Sequence, residues 1–175
     1  MRFSFQALLV LATTGLALSS IPTAMAREIL TSAEVYGIHR EVNLHRFQAK
    51  KAKPAAMGEE MHPKDMMKTG AESWVKLLFN EGTLMRLDAH DVFRFLPNTR
   101  SFELKHGVIL SMIYPGRGTT TLLTPEANVI VMGTALIVRH DGYAKETQVG
   151  LLTEKNGNPV YVTLPNGSNR ASACL

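Results

Sequence analysis

Cysteine is almost missing from this chain of 175 residues: Cys174 is the only one, and it is second from the end. A lone thiol closes no intramolecular disulfide, so a disulfide framework is excluded. Aromatic residues make up 7% of the chain and the formal charge is only +4. The basic residues are scattered except at Lys50-Lys51-Ala52-Lys53, and five aromatics between Phe79 and Tyr114 sit in segments that a core would claim. A nucleic-acid module needs a basic stripe with aromatic platforms beside it, so nucleic acid is not an expected partner. Catalytic signatures are equally scarce. There is no His-x-x-x-His zinc pattern and no Gly-x-Ser-x-Gly elbow, and Gly116-Arg117-Gly118 is followed by no helix that would make it a phosphate loop. Nor does any run reach the ~18 to 20 continuous apolar residues of a membrane span.

What is present begins with a leader. Arg2 is followed by the mostly apolar run Ala7 to Leu18, and Ala24-Met25-Ala26 places small residues at the third and first positions before a cut. This reads as a signal peptide over residues 1–26, with an uncleaved anchor as the alternative. Cleavage after Ala26 leaves 149 residues starting at Arg27, without a stable membrane span, expected to be periplasmic or secreted. That length suits one domain able to bury ~70% of the surface its unfolded chain exposes.

From Ala71 onward, short apolar runs are closed by Gly, Asn, Asp or Pro about every 8 to 12 residues, the rhythm of an all-β protein. Strands are expected over Trp74 to Phe79, Thr83 to Leu87, Val92 to Leu96 and Ser101 to Leu104. A turn at Lys105-His106-Gly107 should then lead into Val108 to Tyr114. Further strands are expected over Thr119 to Leu123, Ala127 to Val138, Tyr143 to Val149 and Pro159 to Leu164. Asn80-Glu81-Gly82 is read as a turn with glycine at positive φ, Thr124-Pro125 as a strand end, and Gly133 as a bulge or close backbone approach inside one long strand. Residues 27–70 read as one strand over Ala33 to Leu44, then an irregular stretch, with one short helix allowed over Glu59 to Lys68. Residues 71–175 form the main part of the domain. The expected fold is a single β-solenoid-like or β-sandwich domain.

These segments also carry a resemblance. Thr69 to Leu77, Asn80 to Leu87 and Phe93 to Pro97 resemble the opening of a FecR domain, and Phe102 to Leu110 resembles the family's Leu/Gly segment. Thr124-Pro125-Glu126-Ala127-Asn128-Val129-Ile130-Val131-Met132-Gly133-Thr134-Ala135-Leu136-Ile137-Val138 resembles the most recognisable stretch of that family. The likeness covers roughly Ala33 to Leu164, and Gly82, Gly107, Thr124, Pro125, Gly133 and Thr134 are its folding positions. FecR regulators resemble inner-membrane proteins with a cytoplasmic anti-sigma segment, one transmembrane helix and a periplasmic sensor. Here a leader stands in place of the cytoplasmic segment. After Asn166-Gly167, where the family usually adds a strand, this chain runs to Ala173-Cys174-Leu175. The resemblance implies a non-catalytic envelope module for sensing, signalling or binding, with a protein or polysaccharide partner and no cofactor.

One different chemistry is written in the chain. Met57, Met61, His62, Met66 and Met67 lie within eleven residues, and thioether sulfur with imidazole suits Cu(I). A periplasmic copper-binding protein is therefore the alternative function. The other histidines offer less: His39, His45, His106 and His140 lie near strand ends or turns, and His90, between Asp88 and Asp91, is read as a solvated turn residue.

Overall fold

A computed structural model describes residues 28–152 and 160–166; the expected leader and Cys174 lie outside them. The described part has strands and no helix, an all-β fold built as a curled, largely antiparallel sheet. In chain order the strands are β1 Ala33–His39, β2 Val42–His45, β3 Lys53–Pro54, β4 Glu60–Met61, β5 Met66–Thr69, β6 Trp74–Phe79 and β7 Leu84–Leu87. They continue as β8 Val92–Phe95, β9 Ser101–Met112, β10 Thr120–Leu123, β11 Asn128–Val131, β12 Ala135–Asp141, β13 Glu146–Leu151 and β14 Tyr161–Thr163.

The twelve-residue β9 is shared by two curved layers. Its first half lies between β8 and β10 in the order β3-β2-β5-β8-β9-β10-β11-β14, here sheet 2. Its second half lies between β7 and β12 in the order β4-β1-β6-β7-β9-β12-β13, here sheet 1. The β9–β10 contact is parallel and the other strand pairs are antiparallel. Strand alternation sends Val75, Leu77, Phe79, Met85, Leu87, Ile109, Leu136 and Val138 inward from sheet 1. From sheet 2 they meet Val42, Leu44, Met67, Phe93, Phe95, Phe102, Leu104, Leu122 and Val129. Phe79 is the hinge of the core, with its ring 4.8 to 6.5 Å from those of Phe93, Phe95 and Phe102. The aromatics expected to belong to the core do so, apart from exposed Tyr114.

The structure departs from the sequence expectations where the chain changes sheets. Ala33 to Leu44 is two strands, because Arg40 takes φ 56° and passes the chain from sheet 1 to sheet 2. Ala127 to Val138 is likewise two strands. Gly133, at φ 62°, marks both a break and a close approach, since a Cβ there would lie 2.7 Å from the Pro115 Cα. The turn expected at Lys105-His106-Gly107 is instead the middle of β9. No helix forms over Glu59 to Lys68. Lys64 takes φ 74°, and the Asp65 carboxylate accepts from the His62 and Phe47 amides at 3.0 and 2.7 Å, closing a turn between β4 and β5.

The stretch read as irregular is ordered by Arg46. Its guanidinium donates to Glu59, Asp65 and the Glu60 carbonyl at 2.7, 3.0 and 2.5 Å. Near the start of the described chain, Asn80 holds Ile29 to Ser32 against the β6–β7 turn, and the buried Arg100 donates to the Glu28 carbonyl at 2.8 Å.

Candidate binding face

An antiparallel sheet with one free face ordinarily alternates apolar inward and polar outward residues. Sheet 1 does not. The outward positions of its four central strands are Trp74, Lys76 and Leu78 on β6, Leu84 and Arg86 on β7, Val108, Leu110 and Met112 on β9, and Ala135, Ile137 and Arg139 on β12. Eight are apolar, three are cationic and none is acidic, so the centre of this face resembles a covered surface, while its edges carry the exposed polar residues Glu34, Glu60, Glu146 and Gln148.

Strand register sorts these side chains into rows. At one end Glu60, Glu34, Leu78, Leu84, Met112 and Ala135 stand side by side, with the Leu152 amide bonded to the Ala135 carbonyl at 2.9 Å. The next row is Lys76, Arg86, Leu110, Ile137 and Gly150. Beyond it come His39 paired with Trp74, and Val108 paired with Arg139.

Lys76 and Arg86 are direct cross-strand partners, an arrangement that repels. Both are held over the Trp74 ring, at 5.3 and 5.2 Å from its centroid, and His39 stacks on the same ring at 5.7 Å. The ring's attraction for cations, ~0.5 to 1 kcal/mol at exposed sites, offsets part of the repulsion and fixes both charges on the face. Gly37 leaves the space: a Cβ there would lie 3.1 to 3.3 Å from the Lys76 and Trp74 side chains.

The buried polar groups form separate clusters with structural partners. Asp91 sits where β9 passes between sheets; its carboxylate accepts from the Val108 amide at 2.7 Å and the Asp88 amide at 2.8 Å. Burial pushes this carboxyl up to about 7, against the pull of those two donors. Gly107, at φ 107°, is required because a Cβ would run into the Asp91 carboxylate. Arg100 and Glu81 are a fully buried ion pair at 3.4 Å, and Arg100 also donates to the Thr120 hydroxyl. Buried His140 has its Nδ1 3.1 Å from the Glu126 carboxylate and 3.3 Å from the Thr147 hydroxyl. This last cluster adjoins a groove of about 720 Å³ lined by Glu126, Thr147, Val149, Val162 and Leu164 among others.

The folding positions read from the sequence are placed plainly. Gly82 takes φ 96° beneath the Tyr114 ring, and Thr134 is buried, its carbonyl accepting from the Ile113 amide at 3.0 Å. Thr124 closes the β10–β11 turn around exposed Pro125, its hydroxyl accepting from the Ala127 amide at 2.9 Å. The Met/His group is divided. Met61 and Met67 are fully buried in the core, Met66 is half-buried, and Met57 and His62 are exposed. Emptying the Met61 position would cost ~2 to 5 kcal/mol of fold stability, so a test of copper binding has to use Met57 and His62. His90 is exposed at φ 61° and His106 lies on β9. Among the described residues, no group of three or more His, Cys, Asp or Glu is placed to hold a metal, and no helix is long and apolar enough to cross a membrane.

The residues of the binding face were missed by the strand reading, yet a signal existed. Leu77-Leu78-Phe79, Val108 to Met112 and Ala135 to Val138 are apolar with little alternation, the pattern of strands buried on both faces. Comparisons of this chain with protein-family models, with curated proteins and with solved structures find no match.

Proposed function

We propose that this chain is a non-catalytic, FecR-like envelope module that engages a partner through the outer face of sheet 1. The observation that carries the reading is the composition of the four central strands of that face, eight apolar and three cationic side chains, with the acids Glu34 and Glu60 confined to its β1–β4 edge. A non-catalytic role is supported by Asp91, whose carboxylate is committed to two backbone amides. Measured turnover on any cell-wall substrate would count against it.

The test is site-directed photo-cross-linking in cells expressing the full chain. A photoreactive residue at Leu110 or Ile137 is expected to give adducts, whereas one at Lys105 or Thr121, on the outer face of sheet 2, is expected to give none. Equal yields from both faces, or none from sheet 1, would remove the basis for the proposal.

A further inference from the structure

We infer that the occupant of this face is a second copy of the chain, so that sheet 1 is the interface of a symmetric dimer; this rests on sheet 1 being the binding face. The charges of the face single out that partner. Lys76 and Arg86 lie at its centre, whereas Glu34 and Glu60 lie beside Leu78 at the β1–β4 edge. Arg86 has Asp88 at 3.8 Å, and Glu60 has His62 at 3.7 Å. Among the described residues, exposed Glu34 and half-buried Lys76 have no ion-pair partner, and the Lys76 ammonium stands over the Trp74 ring. A surface of one sign would attract one of these two and repel the other. A second copy brings both signs together with apolar surface. The outer face of sheet 2 has no such drive, because its Arg94 and Glu103 already pair with each other.

Strand register shows how two copies fit. From β1 across to β12, the end row is Glu34, Leu78, Leu84, Met112 and Ala135, and the row behind it is Gly37, Lys76, Arg86, Leu110 and Ile137. A two-fold axis between the copies, running across the strands midway between these rows, exchanges the rows and lays each strand over its own counterpart. Met112 of one copy then faces Leu110 of the other, and small Ala135 faces large Ile137. Leu84 faces the apolar stem of Arg86, whose charge stays with Asp88. Lys76 lies over Leu78, one strand away from Glu34 of the other copy. Neighbouring strands are ~4.8 Å apart and facing sheets ~10 Å apart, a gap that lysine and glutamate side chains span together. Each contact occurs twice, as in any isologous interface.

Two rows across five strands give ten positions a side. A standard stable interface uses roughly 20 to 30 residues a side, so this dimer is weak and reversible. It forms where the protein is concentrated.

The experiment is sedimentation equilibrium of protein purified from cells expressing residues 1–175, as the native chain, as Glu34→Lys, as Lys76→Glu, and as an equimolar mixture of the two variants. The native chain is expected to form a concentration-dependent dimer. Each variant alone should associate roughly tenfold more weakly, since two symmetry-related attractions become repulsions. The mixture should regain the native affinity, because positions 34 and 76 are again opposite in sign across the axis. Within either variant copy the two positions carry like charges, so the recovery cannot arise inside one chain. It also shows that both variants are folded. Leu110→Asp/Met112→Asp, with an unchanged melting temperature, should abolish association.

A native chain that stays monomeric would overturn the inference, as would a mixture no tighter than either variant alone. Cross-links from position 110 to a second copy are the expected result. Cross-links to a different protein or to lipid would overturn the dimer while leaving sheet 1 as the binding face, and no cross-links at all would remove both.

Discussion

The two outward faces of this molecule are made by the same chain with the same alternation, yet they are finished differently. On sheet 2, Arg94 of β8 stands opposite Glu103 of β9 and forms an ion pair with it, among Asn43, Lys68, Ser101, Lys105 and Thr121. On sheet 1, Lys76 stands opposite Arg86 amid leucines, methionine and isoleucine. The first arrangement is complete in water. The second is improved by anything that brings negative charge and apolar surface together. The first face ends in a matched pair, the second in two like charges side by side among apolar side chains.

The contrast can be broken or sharpened by measurement, beginning with the core that both faces cover. Phe79→Ala removes the ring that joins Phe93, Phe95 and Phe102, and should lower unfolding stability by ~3 to 5 kcal/mol in urea melts. Ile137→Thr on the outer face of sheet 1 should change it by no more than ~0.5 kcal/mol. A large loss for Ile137→Thr would mean that this face is already packed within the domain.

Next in size is the junction between the sheets. Asp91 holds its proton up to about 7 in the folded state, above the ordinary carboxylate range of the unfolded chain. Its contribution is complete below about pH 4, where both states are protonated. As pH rises from about 4 to 7 the unfolded chain gives up the proton first, so stability should fall, by at most ~4 kcal/mol. Urea melts between pH 5 and pH 8 should show this fall in the native chain and lose most of it in Asp91→Asn. An unchanged slope in the variant would assign the pH dependence elsewhere.

The smallest effect tests the comparison itself. Double-mutant cycles to alanine should give an unfavourable coupling for Lys76 with Arg86 and a favourable one for Arg94 with Glu103, each of ~0.2 to 1 kcal/mol. Couplings of the same sign would dissolve the distinction between the faces.

Much of this architecture was legible in the sequence, for reasons that differ by residue. Trp74 to Phe79 and Val92 to Phe95 were readable because a buried inner face imposes a period of two. The Asn80-Glu81-Gly82 turn was readable because glycine takes positive φ cheaply. The sheet changes at Arg40 and Gly133 were hidden, since leaving one layer for another is decided by tertiary packing such as Pro115 against Gly133. Gly107 was misread as a turn because its partner is the side chain of Asp91, which no local pattern announces. The binding face lay in plain apolar runs, but which side of each strand has a neighbour depends on the layer it joins.

The shared strand β9 has a consequence for how the chain reaches its native state. Neither layer can be assembled around its centre until Ser101–Met112 is available, and sheet 1 still waits for β12, some thirty residues later. Early strands such as β1 and β6 can pair with one another, but their apolar inner side has no opposite wall before then. Contacts so distant in sequence raise the loop-closure cost of the rate-limiting step, so folding is expected on the millisecond-to-second scale of high-contact-order β proteins. A chain emerging from its amino end therefore stays open until most of it has emerged, and then closes in one late, cooperative event.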